Sequence, residues 1–192
     1  AQGRLLRGEA RVKPLLALDL ATRTGWALLR SDGRVESGSV SFALKGDEGQ
    51  GRRYVRCRAW LVEMKTAHPD LGEIVYETVM GHGAHNVIAG HVYGGLLATV
   101  QSFGEHHQIP YRGFGVSTIK KRFAGHGKAT KGDMIDQCRK LGFSPVDDNE
   151  ADAIALLHVA LDRCPILTPS GASPKKRRPK PQPETPAGAT PF

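Results

Sequence analysis

Three acidic residues stand far apart in the 192-residue chain, each placed to aim a carboxylate at a shared point. Asp19 closes the apolar run Leu15-Leu16-Ala17-Leu18, and Glu77 closes Ile74-Val75-Tyr76. Asp152 lies within 147–157, a stretch with helical character. Two strand-end carboxylates and one helical carboxylate suit magnesium-dependent phosphodiester hydrolysis. Magnesium takes hard oxygen ligands and is held by a few carboxylates, water and phosphate. Two such ions about 4 Å apart can activate a water and stabilise the leaving oxygen. A carboxylate directly after four apolar residues, as at Asp19, is costly to bury unpaired. The competing structural roles are a turn at Asp19, a sheet-edge ion pair at Glu77 and a cap or surface position at Asp152.

Asn149 and Asp148 lie three and four positions before Asp152, near its face of a helix, while Glu150 points away. Asn149 is a candidate neutral ligand of metal or water and Asp148 a charged one; either equally suits an N-cap.

Positioning these groups requires strands and helices in a definite order. Leu15–Leu20, Thr24–Arg30 and Arg34–Phe42 read as strands, the last two joined by an Asp32-Gly33 turn. Arg52–Ala67 reads as a helix, Glu73–Glu77 as a strand and His85–His107 as a long helix. Gly90, Gly94 and Ala98 make a small-residue ridge on that helix, which suggests a tight contact with the sheet or a second subunit. Pro110–Gly115 reads as a fifth strand, and helices follow at Val116–Phe123, Lys131–Leu141 and Asp147–Asp162. The order predicts an α/β fold with a five-stranded mixed sheet flanked by helices on both faces. Residues 1–13 read as a basic N-terminal arm, 14–166 as the folded domain and 167–192 as a disordered basic Pro-rich tail.

A 40% hydrophobic fraction supports one packed core, and no apolar run approaches a membrane span or opens the chain as a leader. Cys57, Cys138 and Cys164 show no CxxC spacing, which argues for free thiols and against zinc. No glycine pattern of a nucleotide cofactor appears, so no small-molecule cofactor is expected. The net charge of +8 favours a polyanionic partner. Half of it sits from Thr168 onward, where five Lys/Arg, including the run Lys175–Arg178, face a single Glu.

At the three acids the chain resembles Holliday junction resolvases of the RuvC type, within the ribonuclease H-like nuclease superfamily. The matching pieces are Leu18-Asp19 followed by Thr24-Gly25-Trp26-Ala27, then Tyr76-Glu77-Thr78-Val79-Met80, then Glu150-Ala151-Asp152-Ala153-Ile154-Ala155. The resemblance implies a homodimer that binds a four-way junction and makes paired, metal-dependent nicks, with Mg²⁺ as cofactor and Mn²⁺ able to substitute. It maps the catalytic acids onto Asp19, Glu77 and Asp152 and a fourth acid onto Asn149, a departure from pattern. It maps a junction wedge onto Met80 and basic residues near the acids onto Lys120 and Lys131, the latter in a catalytic role. Lys121 and Lys128 add charge in the same stretch, and His82, Arg52 and Arg53 join them as candidate DNA contacts. The implied setting is the cytoplasm of a bacterium or a phage-infected cell. The competing readings are a broader branched-DNA or RNA–DNA hybrid nuclease of the superfamily and a catalytically silent junction-binding protein.

Overall fold

The computed structural model describes residues 3–4, 12–79 and 87–162. Met80, His82, His85, Cys164 and the tail 167–192 lie outside the described residues. The strands are β1 (Gly3–Arg4), β2 (Leu15–Asp19), β3 (Arg23–Leu29), β4 (Arg34–Ser41), β5 (Glu73–Thr78) and β6 (Tyr111–Gly115). The helices are α1 (Arg52–Ala67), α2 (Val87–His107), α3 (Val116–Phe123), α4 (Lys131–Lys140) and α5 (Asp148–Asp162). The sheet order is β1-β4-β3-β2-β5-β6. The five expected strands therefore form, and the two-residue β1 adds to the β4 edge.

β3 runs antiparallel to β2 and β4, whereas β2, β5 and β6 are mutually parallel. Parallel neighbours need a long crossover, and α2 supplies it between β5 and β6. The β3–β4 turn is set locally: Gly33 has φ +78°, and the Arg34 N–H donates to Asp32 Oδ1 at 3.0 Å.

The sheet divides two cores by strand alternation. Leu15, Ala17, Ala27, Leu29, Val75 and Phe114 face α3, α4 and α5. Leu16, Leu18, Leu28, Ile74 and Tyr76 face α1 and α2. α5 is apolar nearly all round because it lies between the sheet and two further helices. Cys57 and Cys138 are buried free thiols, one in each core, and burial pushes both up to about 12.

Two local features add to the expectations. Among the described residues nothing lies within 4 Å of a Cβ added at Gly94 of the small-residue ridge, while one added at Gly95 would lie 2.3 Å from the Tyr54 ring of α1. Glu150 is turned from the acids as expected and is buried, 2% exposed. It accepts hydrogen bonds from the Ser37 hydroxyl at 2.7 Å and the Val146 N–H at 2.8 Å.

Candidate active site

Alternation decides where the acids point. Leu15 and Ala17 face α5, so Asp19, two residues further on, faces α5 as well. Val75 does the same for Glu77. The parallel register pairs Leu18 with Tyr76, which sets Asp19 and Glu77 side by side at the carboxyl ends of β2 and β5. The strand ends in the middle of an α/β sheet are where such folds place ligands.

The helical acid arrives because β3 permits close approach. Gly25, paired with Asp19 across the ladder, is the contact point: a Cβ there would lie 1.9 Å from the Asn149 carbonyl oxygen. A glycine is required for α5 to come this near. The turn between β2 and β3 is closed by buried Thr24, whose hydroxyl donates to the Ala21 carbonyl at 2.7 Å. β4 fixes the start of α5. Ser39 donates to Asp147 Oδ2 at 2.7 Å, and Arg23 pairs with the same oxygen at 2.7 Å. Asp147 Oδ1 in turn accepts the Glu150 N–H at 2.9 Å, so Asp147 caps the helix. Partial burial opposes ionisation of Asp147, but these hydrogen bonds prevail and hold it below the usual carboxylate range.

Burial dominates the electrostatics of the acids, and like charges add to it. Burial raises Asp19 to about 8, with Glu77, Asp152 and Asp148 each pushing the same way. Burial and the charge of Asp152 raise Glu77 to about 7. Burial raises Asp152 too, with Lys120 opposing and Asp148 adding. Such crowding of like charge is expensive unless cations answer it. Among the described residues no three acidic, histidine or cysteine side chains stand together as a finished metal cage. The acids share a field; their oxygens are not locked in a coordination shell, and mutual repulsion works against closer packing.

Two lysines reach into that field. Lys120 of α3 acts on Glu77 and Asp152. Lys131 ion-pairs with Asp148 and also acts on Asp19 and Asp152. The hydrogen bond from Lys131 holds Asp148 below its usual range. Lys131 takes its place as the first residue of α4, whose start is fixed by a capping box between Thr130 and Asp133.

Asp19, Glu77, Asp152, Lys120 and Lys131 are thus brought together. Asp148 belongs with them, while Asn149 lines a separate pocket beside Leu20 and Tyr93. Lys121 and Lys128 are exposed. On α1, Arg52 is exposed near Glu48, but Arg53 is buried, contrary to a solvent-facing DNA contact. Several members were not foreseen: Arg23, Ser37, Ser39, Asp147 and Tyr93. Tyr93 donates its hydroxyl to the Glu77 carbonyl oxygen at 2.8 Å and steadies the end of β5. Serines alternating with Gly38 along β4 were the one readable signal, since they put hydroxyls on a helix-covered face.

No family model and no curated protein sequence matches the chain. Solved structures do. The Thermus thermophilus RuvC–Holliday junction complex superposes with a TM-score of 0.65 at 19% identity, over 77% of this chain and 92% of that one. A second Thermus thermophilus RuvC structure gives 0.62 at 20% identity, covering 76% and 92%. The yeast mitochondrial Holliday junction resolvase Ydc2 gives 0.54 at 11%, covering 76% of each chain. The fold is therefore the ribonuclease H-like fold of these resolvases.

Proposed function

We propose that the chain is a structure-selective endodeoxyribonuclease that cuts branched DNA, four-way junctions foremost, by metal-dependent hydrolysis. The observation that carries this reading is the meeting of Asp19, Glu77 and Asp152 in one field on the resolvase fold. The donors are carboxylate oxygens, which fit Mg²⁺, with Mn²⁺ as a substitute, and do not fit a thiophilic metal. Asp19, Glu77 and Asp152 would hold the ion, with Asp148 as the fourth acid. When bound, the ion supplies positive charge at the scissile phosphate and a more acidic water.

The remaining work belongs to the protein. Burial and crowding raise the proton affinity of Asp19 and Glu77, so these acids favour any cation that relieves their repulsion. Lys120, beside Glu77 and Asp152, can meet the negative charge that grows on the phosphate in the transition state. Lys131 holds Asp148 in position. The net +8 of the chain favours the polyanionic substrate.

A homodimer would set two such sites for matched nicks. The exposed stripe Val87, His91, Gly94 and Ala98 along α2 is the surface we assign to it, and sedimentation of the protein with and without Gly94→Arg tests that assignment.

The deciding experiment compares cleavage of a mobile four-way junction, a fork and an RNA–DNA hybrid in Mg²⁺, with binding measured in Ca²⁺. Junction cutting by the wild type, lost in Asp19→Asn with binding retained, is expected. Preferential cutting of the hybrid points to the broader nuclease. Junction binding without cutting in Mg²⁺ or Mn²⁺ refutes the enzyme and leaves a binding protein.

A further inference from the structure

The acidic start of α5 divides its side chains between two flanks. Glu150 and Asp152 are two residues apart, so they leave the helix about 200° from each other. Asp148 and Asp152, one turn apart, share a flank. The flank that carries Glu150 is tied to β4. Ser37 donates to Glu150 Oε1 at 2.7 Å, and the Val146 N–H donates to Oε2 at 2.8 Å. Asp147, just before the helix, is tied to the same strand. Ser39 donates to its Oδ2 at 2.7 Å, Arg23 reaches that oxygen at 2.7 Å, and the Glu150 N–H donates to Oδ1 at 2.9 Å. All four carboxylate oxygens of Asp147 and Glu150 thus accept from protein donors.

The ladder relates these ties to the acids with no loop between. Asp19 pairs with Gly25 and Gly25 with Ser39, so the three form one row across β2, β3 and β4. Asp147 sits on Ser39, and the Asn149 carbonyl lies against Gly25. Asp19 ends the row two strand spacings, or about 10 Å, from Ser39. The next row, Ala17, Ala27 and Ser37, receives Glu150. A helix held to a sheet by one bond can slide or roll about it. Two bonds, from strand residues two apart to helix positions one turn apart, fix height and rotation together.

We propose that Ser37 and Ser39, acting through Glu150 and Asp147, are positioning residues of the acid site. They set the height and rotation of α5 and so present Asp148 and Asp152 to Asp19 and Glu77. The proposal rests on the nuclease reading above and gives β4, which supplies none of these acids, a share in the affinity for the divalent ion. The Arg23 side chain is 57% exposed, so its share of the tie at Asp147 is small. Glu150 is 2% exposed, so the bond from Ser37 weighs more.

Mn²⁺ binding by the full chain without DNA, followed by loss of the free-ion electron paramagnetic resonance signal, tests this apart from cutting. Cleavage of a four-way junction is titrated with Mg²⁺ in parallel. Ser37→Ala/Ser39→Ala should weaken Mn²⁺ binding about tenfold and raise the Mg²⁺ midpoint to match. Cleavage at saturating Mg²⁺ should stay within a few-fold of wild type. Ser37→Thr/Ser39→Thr, which returns both hydroxyls, should restore both midpoints. A lower melting temperature in the alanine pair with both midpoints unmoved makes the bonds a fold contact alone and overturns the proposal. A shift that the threonine pair does not reverse traces the loss to packing and also overturns it. Loss of all Mn²⁺ binding in Asp147→Ala, with none in the serine variants, makes Asp147 a ligand and overturns it too. If the alanine pair does not fold, Ser39→Ala decides by the same two midpoints. A wild type that neither binds Mn²⁺ nor cuts removes the nuclease reading itself.

Discussion

The two faces of the sheet are built on opposite terms. On the α5 face, strand alternation ends in carboxylates, and the helix brings more of them to meet the sheet. On the α1–α2 face the same strands end in Leu18 and Tyr76, and packing continues into an apolar cavity with a single buried guanidinium. One face concentrates like charge; the other provides shape. The difference is decided by one-residue parity, because Leu18 and Asp19 are neighbours on opposite sides of β2. A cluster of acids and an apolar hollow therefore lie on opposite sides of one strand end.

The largest expected effect comes from breaking the charged face. Asp19→Asn should lower junction cleavage by about 10³-fold or more, since a ligand and a charge disappear together while the shape remains. The same substitution should stabilise the protein in chelator. Asp19 holds its proton up to about 8 in the folded state against an ordinary 3.8. The folded state therefore binds more protons than the unfolded chain between those values, and stability falls as pH rises through that window. Melting temperatures of the two proteins should agree near pH 4, and the variant should melt higher by pH 8 to 9. A gap that closes as pH rises would contradict the burial argument.

Next in size is the contact that lets the helix reach the sheet. Gly25→Ala places a methyl 1.9 Å from a backbone carbonyl that cannot rotate away. Overpacking of this kind costs about 1–3 kcal/mol. The substitution should lower both melting temperature and cleavage, because α5 must retreat and carry Asp152 with it. Normal cutting by Gly25→Ala would show that Asp152 need not approach β2 so closely.

A smaller effect separates the two candidates for the fourth acid. Asp148→Ala should reduce cleavage by about 10–100-fold, as loss of a supporting metal-site group commonly does. Asn149→Ala should cut nearly as fast as the wild type. The reverse ranking would place the fourth ligand one residue further along α5.

What could be read in advance follows the same division. Asp19 and Glu77 were legible because each ends an unbroken apolar run, and period-two alternation then fixes the face. Strand and helix order was legible for the same reason, down to the Asp32-Gly33 turn. The partners of α5 were not. Ser39 and Asp147 are 108 residues apart, and nothing local to either predicts their hydrogen bond. Arg53 read as one of several surface arginines, since burial of a single charge within a basic helix leaves no trace in the pattern. The choice between Gly94 and Gly95 was equally hidden: spacing identifies a ridge of small residues, but only the position of Tyr54 shows which one is crowded.

That last pair gives the finest comparison. Gly95→Ala would push into the Tyr54 ring at 2.3 Å, whereas Gly94→Ala meets nothing within 4 Å among the described residues. In a helix interior alanine is favoured over glycine by about 1 kcal/mol. Gly94→Ala should thus raise the melting temperature slightly at low protein concentration, and Gly95→Ala should lower it. The proposed dimer supplies the counter-argument, because Gly94 lies on the stripe assigned to it. If a second subunit packs there, an added methyl meets it, and the gain from helix propensity shrinks or reverses as concentration rises. A melting temperature for Gly94→Ala that stays above wild type at every concentration would move the dimer surface off α2.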